Sequence, residues 1–270
     1  MSQDRRLWPA NERVAHTELA GKVDVPMVES VLKCIVVPVA DLCRSPGEGR
    51  DKQLVFGQAF EVLETRDGFS FGRDPGDGYV GYLAEGCLGS AREASHCVTV
   101  RSAHVYSAPD FKSPERLHLP FGALLDVVGD QDGYLKLGTG GWMMAQHVSE
   151  VKSDWVSVAE MFLGTPYLWG ANTAFGIDCS GLLQSAMHSA GLACPRDSDM
   201  QEAAFAEAQG AYQRGDLVFW KGHVGILLDG ETLLHANAHH MAVAKERLAE
   251  AIERIGAREF GDVTKVARPL

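Results

Sequence analysis

The stretch GTPYLWGANTAFGIDCSGLLQSAMHSAG, residues 164–191, runs from a glycine-rich loop into an amphipathic helix, with a cysteine at the junction. The loop is 164–176. Leu182, Leu183, Ala186, Met187 and Ala190 then recur at helical spacing, and Gly191 stops the helix. Cys179 falls in the first turn, with Asp178 placed to cap it. A cysteine there feels the positive end of the helix dipole, which favours the thiolate, the attacking form of the residue. Burial as a small apolar residue is the commoner fate of cysteine. Placement alone therefore does not make a nucleophile.

Further along, DLVFW, HVGILLD and TLLHANA read as strands, the last two joined by the turn pair Asp229-Gly230. A loop of two or three residues sets His223 within about one residue of directly opposite His235. His235 then reaches His223 across the sheet and orients it, which is the nucleophile–base–orienter logic with histidine as third member. Upstream, Trp155, Val158, Ala159 and Phe162 predict a helix over about 153–163. Residues 241–258 read as partly helical. Helices followed by an antiparallel sheet make an α+β domain.

The N-terminal half repeats itself. Residues 36–88 contain VVPVADLCRSPGEG, VFGQAFEVLETRDGFSFG and DGYVGYLAEGCL; residues 98–148 contain VTVRSAHVYSAPDF, PFGALLDVVGDQDGYLKLG and TGGWMMAQHV. Both copies pass through a Ser-Pro or Ala-Pro turn, a Phe-Gly step, an Asp-Gly-aromatic turn and a Gly-aromatic strand. Copies of about fifty residues with five short strands are the size of small β-barrels. The expected organisation is an arm at 1–22, barrels at 23–92 and 93–150, and the α+β domain at 151–270.

The composition, 46% hydrophobic and 23% charged in 270 residues, is that of a soluble globular protein. A net charge of −11 argues against nucleic acid or an anionic membrane as partner, and asks for a local basic contact if the substrate is acidic. MSQDRRLWPANERVAHTELA at the start has no apolar run after its arginines, and no run of about 18 apolar residues occurs. A cytoplasmic setting is expected. The six cysteines have neither a CxxC pair nor zinc-like spacing, so no metal or other cofactor is expected. Oligomeric state is not legible.

The segments GTPYLWGAN, DCSGLL, RDSDMQ, GDLVFW, HVGIL and LLHANA, in this order over about 163–237, resemble the NlpC-type cysteine peptidases, which cut peptidoglycan peptides on a pared-down papain-like fold. The resemblance implies Cys179 as nucleophile, His223 as base, His235 as orienter and Tyr167 as an oxyanion donor beside the Cys179 N–H. Trp169 is expected either to pack the pocket or to touch substrate. The two barrels resemble the bacterial SH3-like domains of one branch, the γ-D-glutamyl-L-diamino acid peptidases (dipeptidyl-peptidase VI), in which the first barrel closes one end of the cleft. By that resemblance Asp197 and Tyr79 or Tyr82 hold the substrate's free amine. Asp178, Ser180, Arg196 and Ser198 then contact the γ-D-glutamyl residue, with Arg196 as the basic contact. The implied substrate is a murein-derived L-Ala-γ-D-Glu-diamino acid peptide. An amidase or acyltransferase of the same fold, an endopeptidase for intact wall, and a non-enzymatic wall-binding module are the competing expectations.

Overall fold

In the computed structural model, which describes residues 4–149 and 154–269, the sequence repeat is reproduced down to backbone angles. Asp67-Gly68 and Asp132-Gly133 occupy matching turns, with φ of 51° and 80° in the first and 50° and 80° in the second. Paired positive φ values match the right-handed twist of hairpin strands, and Asp-Gly adopts them at low cost. Each copy also ends in a single 3₁₀ turn, Glu85–Cys87 and Ala145–His147.

The chain divides into two units, Met1–Glu150 and Val151–Leu270. In the first unit, a seven-stranded antiparallel sheet is built from strands between Val31 and Ser90. Five- and three-stranded sheets follow, from His96 to Ser149. Ile35, Leu42, Leu54, Phe60 and Leu83 fill the interior of the first sheet; Val98, Val105, Leu119, Leu125 and Met143 fill that of the second copy. Phe56 leaves the first copy to join the second core. Its carbonyl accepts the Leu124 N–H at 2.8 Å. Gly57 has φ of 82°, and a Cβ there would lie 2.2 Å from the Leu124 carbonyl oxygen. Only glycine allows this approach.

The second unit is α+β. Its helices are Trp155–Met161 (α1), Cys179–Ser189 (α2), Ser198–Ala204 (α3) and Leu248–Arg258 (α4). Its sheet has strands Leu217–Trp220 (β1), His223–Leu227 (β2), Thr232–Asn237 (β3), Ala242–Arg247 (β4) and Lys265–Ala267 (β5). The order is β4-β3-β2-β1-β5, antiparallel throughout. The helix expected over about 153–163 is α1, with position 153 outside the described residues. The stretch 241–258 is a strand and then a helix, because AVAKER alternates and only LAEAIERIGAR has helical periodicity. Helix α2 packs on α1, β2 and β3. Leu248, Ala251 and Ile255 of α4 pack with Leu227 and Leu233, so α4 covers the sheet face on which those two leucines lie. Among the described residues no helix is long and apolar enough to cross a membrane.

Candidate active site

The start of α2 is fixed by one carboxylate. Asp178 Oδ1 accepts the Gly181 N–H at 2.7 Å, closing the cap, and Oδ2 accepts the Gly170 N–H at 2.9 Å. Arg196 donates to both oxygens, at 3.0 and 2.7 Å, and to the Ser180 hydroxyl at 2.8 Å. The pair is buried, with Arg196 1% and Asp178 7% exposed. Breaking such a pair costs about 3–5 kcal/mol, because the survivor is an uncompensated buried charge. Gly181 completes the arrangement: a Cβ there would lie 2.4 Å from the Ala171 carbonyl oxygen. Gln201 ties the RDS segment to this turn, donating to the carbonyls of Ser180 at 3.0 Å and Pro195 at 2.9 Å. Arg196 is therefore not the open basic contact that an acidic chain asks of it. Its charge is consumed by Asp178, and Asp178, Ser180 and Arg196 together hold the cysteine's helix in place.

Cys179 is 9% exposed. Burial pushes its thiol up to about 12, and the Asp178 charge adds to this; hydrogen bonding from the Val224 N–H, the Arg196 charge and the Ser180 N–H pull the other way without prevailing. The Val224 N–H belongs to β2, directly after His223, so the sulfur lies against the start of that strand. The thiolate expected from the helix terminus is thus not the resting form. Desolvation in the closed site outweighs the dipole.

His223 is 3% exposed, tilted against Trp220 and stacked on Phe260 with ring centres 5.4 Å apart. Burial, then the neighbouring His235 and Arg254, lower its pKa to about 3, so it rests as neutral imidazole. Its Nε2 lies 2.9 Å from Nδ1 of the fully buried His235. The register differs from the expectation. Leu227 pairs with Leu233 and Ile226 with Leu234, which sets Gly225 opposite His235 and leaves His223 two residues along. The three-residue loop Asp229–Glu231, closed by the Leu228 N–H to the Thr232 carbonyl at 2.9 Å, imposes that offset. An even displacement keeps both rings on one face, and the diagonal is within ring reach.

Sequence reasoning missed what lies beyond His235. Its Nε2 is 2.7 Å from Glu246 Oε2 on β4. Arg254 of α4 donates to the same carboxylate, at 2.6 Å to Oε2 and 3.2 Å to Oε1. Burial raises the Glu246 pKa, but the bonds from His235 and Arg254 outweigh it and hold the group at about 2. His235 pairs with Ala244, so Glu246 sits two residues on and on the same face. The alternation in AVAKER was the available signal.

Tyr167 is anchored by its N–H to the Met241 carbonyl at 2.9 Å. Burial and the nearby Cys179 and Asp178 charges raise its pKa, so its hydroxyl keeps its proton and remains a donor near the sulfur. Trp169 is 69% exposed. Asp197 and Ser198 are half-buried at the start of α3. In the first unit, Tyr79 is 2% exposed inside the core, which removes it as an open ligand for an amine. Tyr82 instead lines a groove of about 380 Å³ with Glu64, Arg13, Phe69 and Phe71. In that groove Arg13 grips Glu64 at 2.8 and 2.7 Å.

Among the described residues, His235, His240 and Glu246 form a group of possible metal ligands, their donor atoms lying within 4.8 Å of one another. Glu246 already carries the Arg254 cation and the His235 ring, which is a poor setting for a second positive charge.

Fold and site together define a papain-like α+β domain with a cysteine at a helix start and a histidine pair on the adjoining sheet. Residues 164–254 match the NlpC/P60 family, and residues 42–88 match the bacterial dipeptidyl-peptidase SH3 domain. The chain carries an NlpC/P60 domain joined to a bacterial dipeptidyl-peptidase SH3 domain. Its relatives include a gamma-D-glutamyl-L-lysine dipeptidyl-peptidase of Bacillus subtilis (strain 168), 31% identical over 156 residues, or 51% of this chain and 53% of that protein. Dipeptidyl-peptidase 6 of Lysinibacillus sphaericus is 29% identical over 167 residues, or 54% of this chain and 62% of that one. The matched stretches thus span only part of these curated relatives. An NlpC/P60 family protein from Bacillus cereus ATCC 10987 shares the fold, with a TM-score of 0.74 at 20% identity over 89% of this chain and 100% of that chain.

Proposed function

We propose that the protein is a cysteine peptidase that cuts the bond between γ-D-Glu and the diamino acid of murein-derived peptides bearing a free N-terminal L-Ala. The observation that carries this is the buried Cys179 at the start of α2, its sulfur met by the N–H that follows His223, together with the His223–His235 pair on β2 and β3, within a domain matched to NlpC/P60. The match of residues 42–88 to the SH3 domain of dipeptidyl-peptidases, and the names of the two relatives, favour a dipeptidyl-peptidase over an endopeptidase or an amidase. A cytoplasmic site of action on released fragments belongs to the same reading.

The chemistry follows from the neutral resting pair. As the γ-carbonyl arrives, His223 takes the thiol proton and Sγ bonds to the carbonyl carbon. The oxyanion is met by the Cys179 N–H and the Tyr167 hydroxyl. His223 then protonates the departing amine, the C–N bond breaks and a thioester remains. Water, deprotonated by His223, cleaves the thioester and releases L-Ala-γ-D-Glu. Asp197 is the proposed partner of the substrate amine, and Ser198 and Trp169 of the glutamyl residue.

The test compares kcat/KM on L-Ala-γ-D-Glu-L-Lys with a free and an acetylated N-terminus. Acetylation removes a charged contact of about 1.5–3 kcal/mol, so a loss of at least about 10-fold is expected. Equal rates, or efficient solubilisation of intact wall, would make the protein an endopeptidase.

A further inference from the structure

The last fixed point behind the base is not a histidine but a carboxylate held in a guanidinium fork. Arg254, with no acceptor of its own, donates to both oxygens of Glu246, so this carboxylate only accepts. His235 Nε2, at 2.7 Å from Oε2, must then carry its proton. A neutral His235 with Nε2–H presents a bare Nδ1. At 2.9 Å from that atom, His223 Nε2 must be the donor. His223 is left with a lone pair on Nδ1, the nitrogen not engaged by His235. One carboxylate thus dictates the tautomer of two rings in series.

We propose that Glu246, clamped by Arg254, is a positioning residue that selects the Nε2–H tautomer of His223 and so keeps its Nδ1 free to take the thiol proton. This rests on the reading of Cys179 and His223 as nucleophile and base. The His223–His235 link is buried on the sheet face that α4 covers, which excludes the water that would otherwise scramble the two rings, and the half-buried Glu246 and Arg254 continue the chain on that face. His235 alone cannot make the choice, because an imidazole in a symmetric setting donates or accepts equally well.

The experiment is long-range ¹H–¹⁵N correlation spectroscopy of the ring nitrogens in the full chain labelled with ¹⁵N-histidine. Signals are assigned by their loss in His223→Asn and His235→Asn. In the unaltered protein both rings are expected as Nε2–H. Glu246→Leu, which leaves no acceptor for His235, is expected to populate the other tautomer of both rings. Its kcat should fall about 10²-fold with KM changed less than about two-fold. Glu246→Gln keeps an oxygen that the Arg254 fork can hold, and should restore the Nε2–H signals and most of kcat. An Nδ1–H signal from His223 in the unaltered protein overturns the proposal without recourse to any variant, and so do unchanged tautomers in a folded Glu246→Leu. The spectra need no substrate. Nε2–H rings in a protein that cleaves no murein peptide would retire the proposed function and leave this inference standing.

Discussion

Cys179→Ala is expected to abolish turnover, on the order of 10⁶-fold, the scale seen when a nucleophile of this kind is removed. The fold should survive. Cys179 is a small side chain at a capped helix start, and the Asp178–Arg196 pair that holds the turn does not involve its sulfur. Near- and far-ultraviolet circular dichroism should therefore match the unaltered protein while hydrolysis vanishes. The unaltered protein should also show how its thiol rests. With the thiol pushed up to about 12 by burial and His223 lowered to about 3, both groups are neutral from pH 5 to 9. The thiolate fraction then rises about tenfold per pH unit, and alkylation of Cys179 by iodoacetamide should climb steadily across that range. A rate flat from pH 5 upward would mean a standing thiolate–imidazolium pair and would contradict the neutral resting state. Retained hydrolysis in Cys179→Ala would end the peptidase reading.

His223→Ala is the second large effect, about 10²- to 10⁴-fold in kcat, since general-base catalysis contributes that much. His235→Gln should cost less. A glutamine side chain retains a hydrogen-bonding group for His223, whereas nothing at position 223 replaces the proton acceptor. The ordering of the two variants carries the assignment of roles, because both rings are buried and either loss leaves a cavity. If His235→Gln were the worse of the pair in folded protein, the base would be His235.

The helix start at Cys179, the strands that bear both histidines and the duplicated turns were legible because each rests on local pattern: helical spacing after Cys179, Asp-Gly turns, and short runs between glycines. The site's outer members were not, and the reasons are physical. The histidine register turned on one residue of loop length. Glu246 and Arg254 are ordinary charged residues in an amphipathic stretch until β4 and α4 fold over His235. Tyr79 and Tyr82, only three residues apart on either side of a strand's start, part company into core and groove according to which way each faces. Arg196 read as a substrate contact because sequence shows its charge but not the carboxylate that neutralises it. The balance between helix dipole and desolvation at Cys179 depends on burial, which no helix-start pattern conveys.

The measurement that bears most directly on the account is mass spectrometry of the products from L-Ala-γ-D-Glu-L-Lys and its diaminopimelate counterpart, with Cys179→Ala as the control. L-Ala-γ-D-Glu and the free diamino acid or its peptide are expected from at least one of the two, and intact peptide with the variant. Cleavage at L-Ala–D-Glu instead, or two untouched peptides beside a Cys179 that alkylates normally, would contradict it.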